Sequence, residues 1–417
     1  MSRRFSRARS IALDMSLLKD SVPFRALWIG QVIALTGTQM RIVAVPWQVF
    51  QITHSTVAVG LIGLVEVIPL ILFSIWAGAI ADRMDRRKML WRTQSGLLVV
   101  SLALAAVSLQ ESPSLLAIYS LTAVSSALSA LERPAFTSMI PGIVGEDRLT
   151  QATALRQVVF QTTQIVGPML GGLMIAAFDI AWVYVIDAAT FIGANVALRW
   201  VPPAVPEGRS DATQPELIRE GLAFAFRTPL ILSIFLIDLV AMVFGMPRAV
   251  FPALAERVFE IGPGGVGLLY SAPSLGALLA ALTAGWVNRV RKQGRGVIVA
   301  VAVWGGAITL AGLCLFSLPL TLLFLALAGG ADVVSAILRG AMLQAATPDH
   351  LLGRVSAANL MVVTGGPRLG DLEAGLVAGA VGAPASVVIG GVACLLGTAV
   401  VAKAIPALDR YTKNART

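Results

Sequence analysis

Apolar positions in this chain come in long unbroken runs, separated by short clusters of charge, glycine and proline. Each run is close to the roughly 20 residues that a helix needs to cross a hydrocarbon core about 30 Å thick. A lipid-facing β-barrel would instead show alternating segments of about ten residues. The pattern therefore predicts an all-α polytopic membrane protein. It predicts twelve transmembrane helices, the first six at about 25–50, 56–81, 93–110, 115–135, 152–177 and 181–200. Six more follow at about 229–252, 264–287, 296–316, 319–340, 354–378 and 383–402. Between the two groups lies a polar stretch from Pro202 to Arg227 with Glu207, Arg209, Asp211, Glu216, Arg219 and Glu220, which a bilayer core would reject.

That spacing divides the chain into a tail over 1–24, a six-helix bundle over 25–201, a linker over 202–228, a second six-helix bundle over 229–402 and a tail over 403–417. Composition agrees. Of the 417 residues 57% are hydrophobic and 13% charged, against roughly 25% charged in an average soluble domain. With a mean hydropathy of +0.81, a soluble globule is excluded.

A net charge of +9 could point to nucleic acid, but its placement points to topology instead. With both termini inside, Arg257 falls in an outside loop, and Arg41, Arg248 and Arg368 fall within spans. The other lysines and arginines then occupy the tails, the cytoplasmic loops and the cytoplasmic span ends, as the positive-inside rule requires. Ser2-Arg3-Arg4-Phe5 has a twin-arginine look, but Asp14, Lys19 and Asp20 interrupt what should be an apolar core. The segment reads as a cytoplasmic tail, and the protein as a resident of a bacterial inner membrane.

The chain also repeats itself. Val59-Gly60-Leu61 recurs as Val266-Gly267-Leu268, and Gly78 recurs as Gly285, both at an offset of 207. Arg133 and Arg148 recur as Arg339 and Arg354 at an offset of 206, and each pair brackets a proline. A repeat carrying six spans leaves both copies in the same orientation, the parallel duplication seen in secondary transporters.

The loop after the second span reads Gly78-Ala-Ile-Ala-Asp82-Arg83-Met-Asp85-Arg86-Arg87-Lys88. It resembles the signature loop of the major facilitator superfamily. That resemblance implies a fold of two bundles rocking about a central cavity, with Gly78, Asp82, Arg83, Arg86 and Arg87 forming a conformational latch. Gly167-Pro168-Met-Leu-Gly171-Gly172 in the fifth span resembles the motif associated with drug:proton antiporters in that superfamily. Asp14-Met-Ser-Leu-Leu-Lys19, Ala44-Val45-Pro46, Thr53-His54-Ser55, Phe251-Pro-Ala-Leu-Ala255 and Leu352-Gly-Arg354 are similar to the enterobactin-exporter-like and macrolide or multidrug efflux branch. The likeness runs over nearly the whole chain and implies a proton-coupled exporter of amphipathic small molecules, such as siderophores or drugs.

Charges inside lipid are costly and tend to be functional. Glu66, Asp238, Asp332 and Asp371 are the proton-coupling candidates, with Glu66 and Asp238 lacking a partner on their own helices. Arg368 stands three residues before Asp371, a spacing at which the two can pair. Gln31, Thr38 and Arg41 form one stripe on the first span, and Gln157, Gln161 and Gln164 another on the fifth; with Arg368 these are the cavity candidates. Arg41 is expected to be the cavity cation, and Asp187 to lie near the outer end in contact with solvent.

Cys314 and Cys394 sit in apolar runs, and His54 and His350 in loops, so no metal site is expected. Gly262-Pro-Gly264-Gly-Val-Gly267 matches a dinucleotide fingerprint but lacks the preceding strand, and no P-loop occurs, so no cofactor is expected. The partners expected are a small-molecule substrate, protons and membrane lipids, with no nucleic acid and a monomeric state. Two other readings stay open: an importer or facilitator of the same class, for example in siderophore uptake, and a membrane enzyme or sensor without a transport cycle.

Overall fold

The computed structural model describes residues 15–81, 84–204 and 214–412. All regular structure among them is helical. After a short α1 (Ser16–Asp20), the first half holds α2 (Val22–Thr53), α3 (Thr56–Ala81), α4 (Arg86–Ser108), α5 (Leu115–Val144), α6 (Leu149–Ala177) and α7 (Ile180–Ala197). The second half holds α8 (Gln214–Arg227), α9 (Pro229–Phe244), α10 (Phe251–Arg257), α11 (Gly262–Thr283), α12 (Gln293–Leu313), α13 (Leu318–Ala346), α14 (Asp349–Val381), α15 (Ala383–Ala404) and a short α16 (Pro406–Arg410).

Local chemistry explains the helix starts. The side chains of Ser21, Asp85, Ser114 and Asp179 each accept a hydrogen bond from a backbone N–H in the first turn of α2, α4, α5 and α7. Ten helical stretches among the described residues are long and apolar enough to cross a membrane. The 32-residue α2 and the 33-residue α14 fall outside that set. Both interrupt their apolar faces with the polar side chains that matter below.

The expected seventh span falls within the membrane-length stretch Pro229–Arg257, but its helix is interrupted. A continuous helix to residue 252 was expected, but α9 ends at Phe244, a 3-10 turn covers Arg248–Val250, and α10 begins at Phe251. Gly245 caps α9, its carbonyl accepts from Trp304 Nε1 at 2.9 Å, and Pro247 denies the helix a donor. The stretch expected to be linker also carries structure. In α8, Glu220 meets Arg354 at 2.7 Å and Gly221 lies against the Arg354 backbone. At the other end of the chain, Arg295 binds Asp409 at 2.8 Å and its hydrogen bond holds that carboxyl below its usual range.

In the first half α2 packs on α6 and α7, α3 on α5, and α4 on α5 and α7. In the second, α11 and α12 pack on α13, α12 on α15, and α9 on α14 and α15. The halves meet chiefly through α3 against α14 and α6 against α11. Under the internal repeat α3 corresponds to α11, so the two contacts are one contact written twice. Glycines allow it. A Cβ on Gly375 would stand 2.8 Å from Gly60 Cα, and one on Gly172 would stand 3.1 Å from Gly267 Cα. Gly60 and Gly267 are the repeated glycines of Val59-Gly60-Leu61 and Val266-Gly267-Leu268.

Candidate functional site

A cavity of about 220 Å³ lies where the halves face each other. α2 supplies Thr38 and Arg41, α3 supplies Glu66, and α14 supplies Arg368 and Asp371. Sequence reasoning named these five. It missed the contribution of α5: Thr122, Ser125, Ser126, Ser129 and Arg133 also line the cavity. Their spacing along the chain puts them on one helical face, which was a readable signal. Arg248, carried on the 3-10 turn after the broken span, and Tyr270 on α11 complete the polar lining.

Glu66 is not isolated, as its own helix suggested. Its Oε2 meets Arg368 Nε at 3.1 Å, an ion pair that joins the first half to the second. Arg368 also donates from Nη1 to the Thr364 carbonyl at 2.7 Å. The expected pairing of Arg368 with Asp371 along α14 is therefore corrected, because Glu66 reaches the guanidinium from the facing helix. Asp371 Oδ1 is buried without a hydrogen-bond partner among the described residues.

Arg41 is spoken for as well. It meets Asp187 Oδ2 at 3.0 Å, and Ser101 Oγ donates to the same oxygen at 2.6 Å. Asp187 is 0% exposed, which overturns its placement in solvent near an outer end. Its burial is tolerated because a cation and a hydroxyl both answer it, where a lone buried charge would be severely penalised. Asp238 likewise has a partner that its own helix did not reveal: Arg339 Nη1 stands 2.7 Å from Asp238 Oδ1, with Asp332 Oδ1 3.8 Å from Arg339 Nη2. The 2.7 Å approach is a charge contact at an angle unsuited to a hydrogen bond. Both acids lie outside the cavity lining, within the second half.

Gln31, Gln157, Gln161 and Gln164 do not line this cavity. Gln31 keeps a buried Oε1 without a partner among the described residues. On α6 the glycine face turns inward instead: Gly167 lies against Gln39 and Gly171 against Met40 of α2, while Pro168 and Gly172 meet Gly267 of α11. The antiporter-like motif therefore makes both the packing within the first half and the contact across halves.

In the loop after α3, Asp82 and Arg83 lie outside the described residues, and Gly78 ends within the α3 helix. Arg86 Nη1 donates to the Ser138 carbonyl at 3.0 Å, and Asp85 Oδ1 accepts from the backbone N–H of Arg87 at 2.9 Å and of Ala204 at 3.2 Å. These bonds tie the start of α4 to α5 and to the segment after α7.

Cross-half bonds gather toward the end where α2 turns into α3 and meets α10. Gln51 Nε2 meets Glu256 Oε2 at 2.5 Å, Arg257 Nη2 donates to the His54 carbonyl at 2.9 Å, and the Arg257 guanidinium lies 4.9 Å from the Phe50 ring centre. Thr56 Oγ1 donates to the Gly375 carbonyl at 3.2 Å and Ser271 Oγ to the Ile165 carbonyl at 2.8 Å.

A profile of the family described as transmembrane secretion effector matches residues 15–416. Enterobactin exporter EntS of Shigella boydii serotype 18 is 33% identical over 355 residues, covering 84% of this chain and 83% of that protein. Its namesake from Escherichia coli O1:K1 matches with the same identity and coverage. Solved structures share the fold at low identity. The nucleoside transporter NupG aligns with a TM-score of 0.72 at 14% identity, covering 93% of this chain and 99% of that one. A bacterial homologue of the iron transporter ferroportin, in an inward-facing state, aligns with a TM-score of 0.68 at 14% identity, covering 91% and 98%.

Proposed function

Because this chain belongs to the transmembrane secretion effector family of the major facilitator superfamily, we propose that it exports amphipathic small molecules, such as siderophores or drugs, in exchange for protons. It is a multi-pass membrane transporter, and the proposal concerns what it moves and how. In this reading twelve membrane-crossing helices form two six-helix bundles over 25–201 and 229–402, with both tails and the linker on the cytoplasmic side of a bacterial inner membrane. The relatives named enterobactin exporter support export of a siderophore-like molecule. The protein acts as a monomer among membrane lipids.

The single observation that carries the coupling is the Glu66–Arg368 ion pair, which bridges the halves inside the cavity at 3.1 Å. A proton taken by Glu66 discharges the carboxylate and releases the Arg368 guanidinium, so a cross-half tie is lost at the site where substrate would enter. Asp371, in the same cavity and three residues along α14, offers a second carboxylate for the freed cation or for the proton. Asp238 and Asp332 serve a different end, since their contact with Arg339 joins α9 to α13 within one half. The bonds gathered at the outer end support an inward-facing arrangement, from which cytoplasmic substrate loads.

The test uses everted membrane vesicles acidified inside by respiration and a panel of catecholate siderophores, macrolides and dyes. Addition of a transported compound should release luminal protons, seen as recovery of a pH-sensitive dye, and Glu66→Gln should abolish that release. Full proton-coupled transport in both Glu66→Gln and Asp371→Asn would overturn the coupling.

A further inference from the structure

The internal repeat places an arginine at the same point of each half, yet the two copies have opposite surroundings. Ser129-Ala-Leu-Glu-Arg133 on α5 recurs as Ser335-Ala-Ile-Leu-Arg339 on α13, at the offset of 206. In the second half Arg339 is buried and answered by Asp238 at 2.7 Å and Asp332 at 3.8 Å. At the same offset Asp332 corresponds to Ser126, and at the offset of 207 Asp238 corresponds to Gln31. The first half carries the cation but has neutral polar side chains where the second half has acids.

Arg133 consequently has no ion-pair partner among the described residues, and it lines the central cavity. Neighbouring acids are taken. Glu66 is held by Arg368, Asp187 by Arg41, and Glu132 accepts from Gln94 Nε2 at 2.9 Å on the side of α4. Arg156, the nearby cation on α6, stacks over Phe136 at 5.8 Å. Arg248 also lines the cavity without an ion pair among the described residues, so with Arg41 answered by Asp187 three guanidiniums, Arg133, Arg248 and Arg368, face two carboxylates, Glu66 and Asp371. One turn up α5 from Arg133, Ser129 and then Ser125 add hydroxyl donors on the same face, while Ser126 Oγ already donates to the Glu66 carbonyl at 2.7 Å and Thr122 Oγ1 to the Ile118 carbonyl at 2.8 Å. A charged donor beside two neutral donors is complementary to an oxyanion.

From this broken symmetry we infer that Arg133 is the anchor for an anionic group of the transported molecule, with the Ser125 and Ser129 hydroxyls reading the oxygens around it. The inference rests on the transport reading above and narrows it to ligands that carry a carboxylate, sulfonate or phenolate. The ligand supplies in the first half the negative charge that Asp238 and Asp332 supply in the second.

Two probes of nearly identical shape separate charge from packing: 5-dimethylaminonaphthalene-1-sulfonate and the neutral sulfonamide of the same ring. Binding to the full chain in lipid nanodiscs is read by fluorescence. Wild type should hold the sulfonate about tenfold more tightly than the sulfonamide, the size expected for one charged hydrogen-bonded contact. Arg133→Gln should remove that preference while leaving the sulfonamide affinity within about twofold, and Arg133→Lys should restore most of it. Ser126→Asp reinstates the missing acid without touching the arginine, and it too should erase the preference. Absence of a sulfonate preference in wild type overturns the inference, as does an equal loss of both probes in the Arg133 and Ser126 variants. The binding assay needs no proton gradient. Silent vesicles with an Arg133-dependent preference would defeat the exchange reading alone, whereas proton release by a purely cationic substrate with no sulfonate preference would defeat the anion site alone.

Discussion

Asp187 shows why single residues resist reading from one helix. Its periodic position on α7 does not reveal that Arg41 and Ser101 come from α2 and α4 to meet it. The two pairs join positions 146 and 86 residues apart, and nothing in a local window records them. The same blindness made Glu66 and Asp238 look isolated. What the local pattern did record was residue type: an acid or an arginine in an apolar run is there at a cost that something must offset. Removing Asp187 as Asp187→Ala should cost about 3–5 kcal/mol, because Arg41 would remain buried without its partner. Thermal unfolding in detergent would read this as a large drop in midpoint, and the double variant Arg41→Met, Asp187→Leu should recover much of it. A drop of similar size in the double variant would mean that packing around Asp187, and not the charge, sets its importance.

At the scale of helices the sequence was more legible. The onset of nearly every long helix lies within a few residues of its expected position, because glycine, proline and capping side chains act locally. The errors have two causes. Helices α5 and α14 run on to Val144 and from Asp349, past the apolar windows, since a helix does not have to end where lipid does. The seventh span breaks at Gly245 because Trp304, from α12, supplies a partner for the freed carbonyl. The glycine contacts between helices permit a sharp test. A side chain at Gly172 would press on the Pro263 carbonyl at 2.6 Å and on Gly267 Cα, where backbone lies on the far side and no rotamer offers relief. Gly172→Leu should therefore cost about 1–3 kcal/mol and impair transport, whereas Gly142→Leu, with nothing within 4 Å, should be neutral. Equal thermal midpoints for the two variants would refute the close-packing role.

For the whole molecule, the closure at the end where α2 meets α10 is a small set of weak bonds and not a wall. Arg257 contributes a hydrogen bond to His54 and a contact with the Phe50 ring, and Gln51 with Glu256 adds one more bond. Half-exposed contacts of these kinds are each worth about 0.5–1 kcal/mol. Removing them with Arg257→Ala and Glu256→Ala together should move the balance between outward- and inward-open forms by about tenfold. Spin labels at the ends of α2 and α10 would show a longer-distance population growing; an unchanged distribution would mean that these bonds do not hold the end closed.

The paired glycine contacts have a mechanical consequence. Gly60 on Gly375 and Gly172 on Gly267 are two points of contact related by the repeat. Two fixed points define a line, and a rigid body pinned along a line retains one rotational degree of freedom. Any rocking that preserves both contacts is thus confined to a single angle. The arc swept by each residue grows in proportion to its perpendicular distance from that axle, so one measured displacement determines all the others.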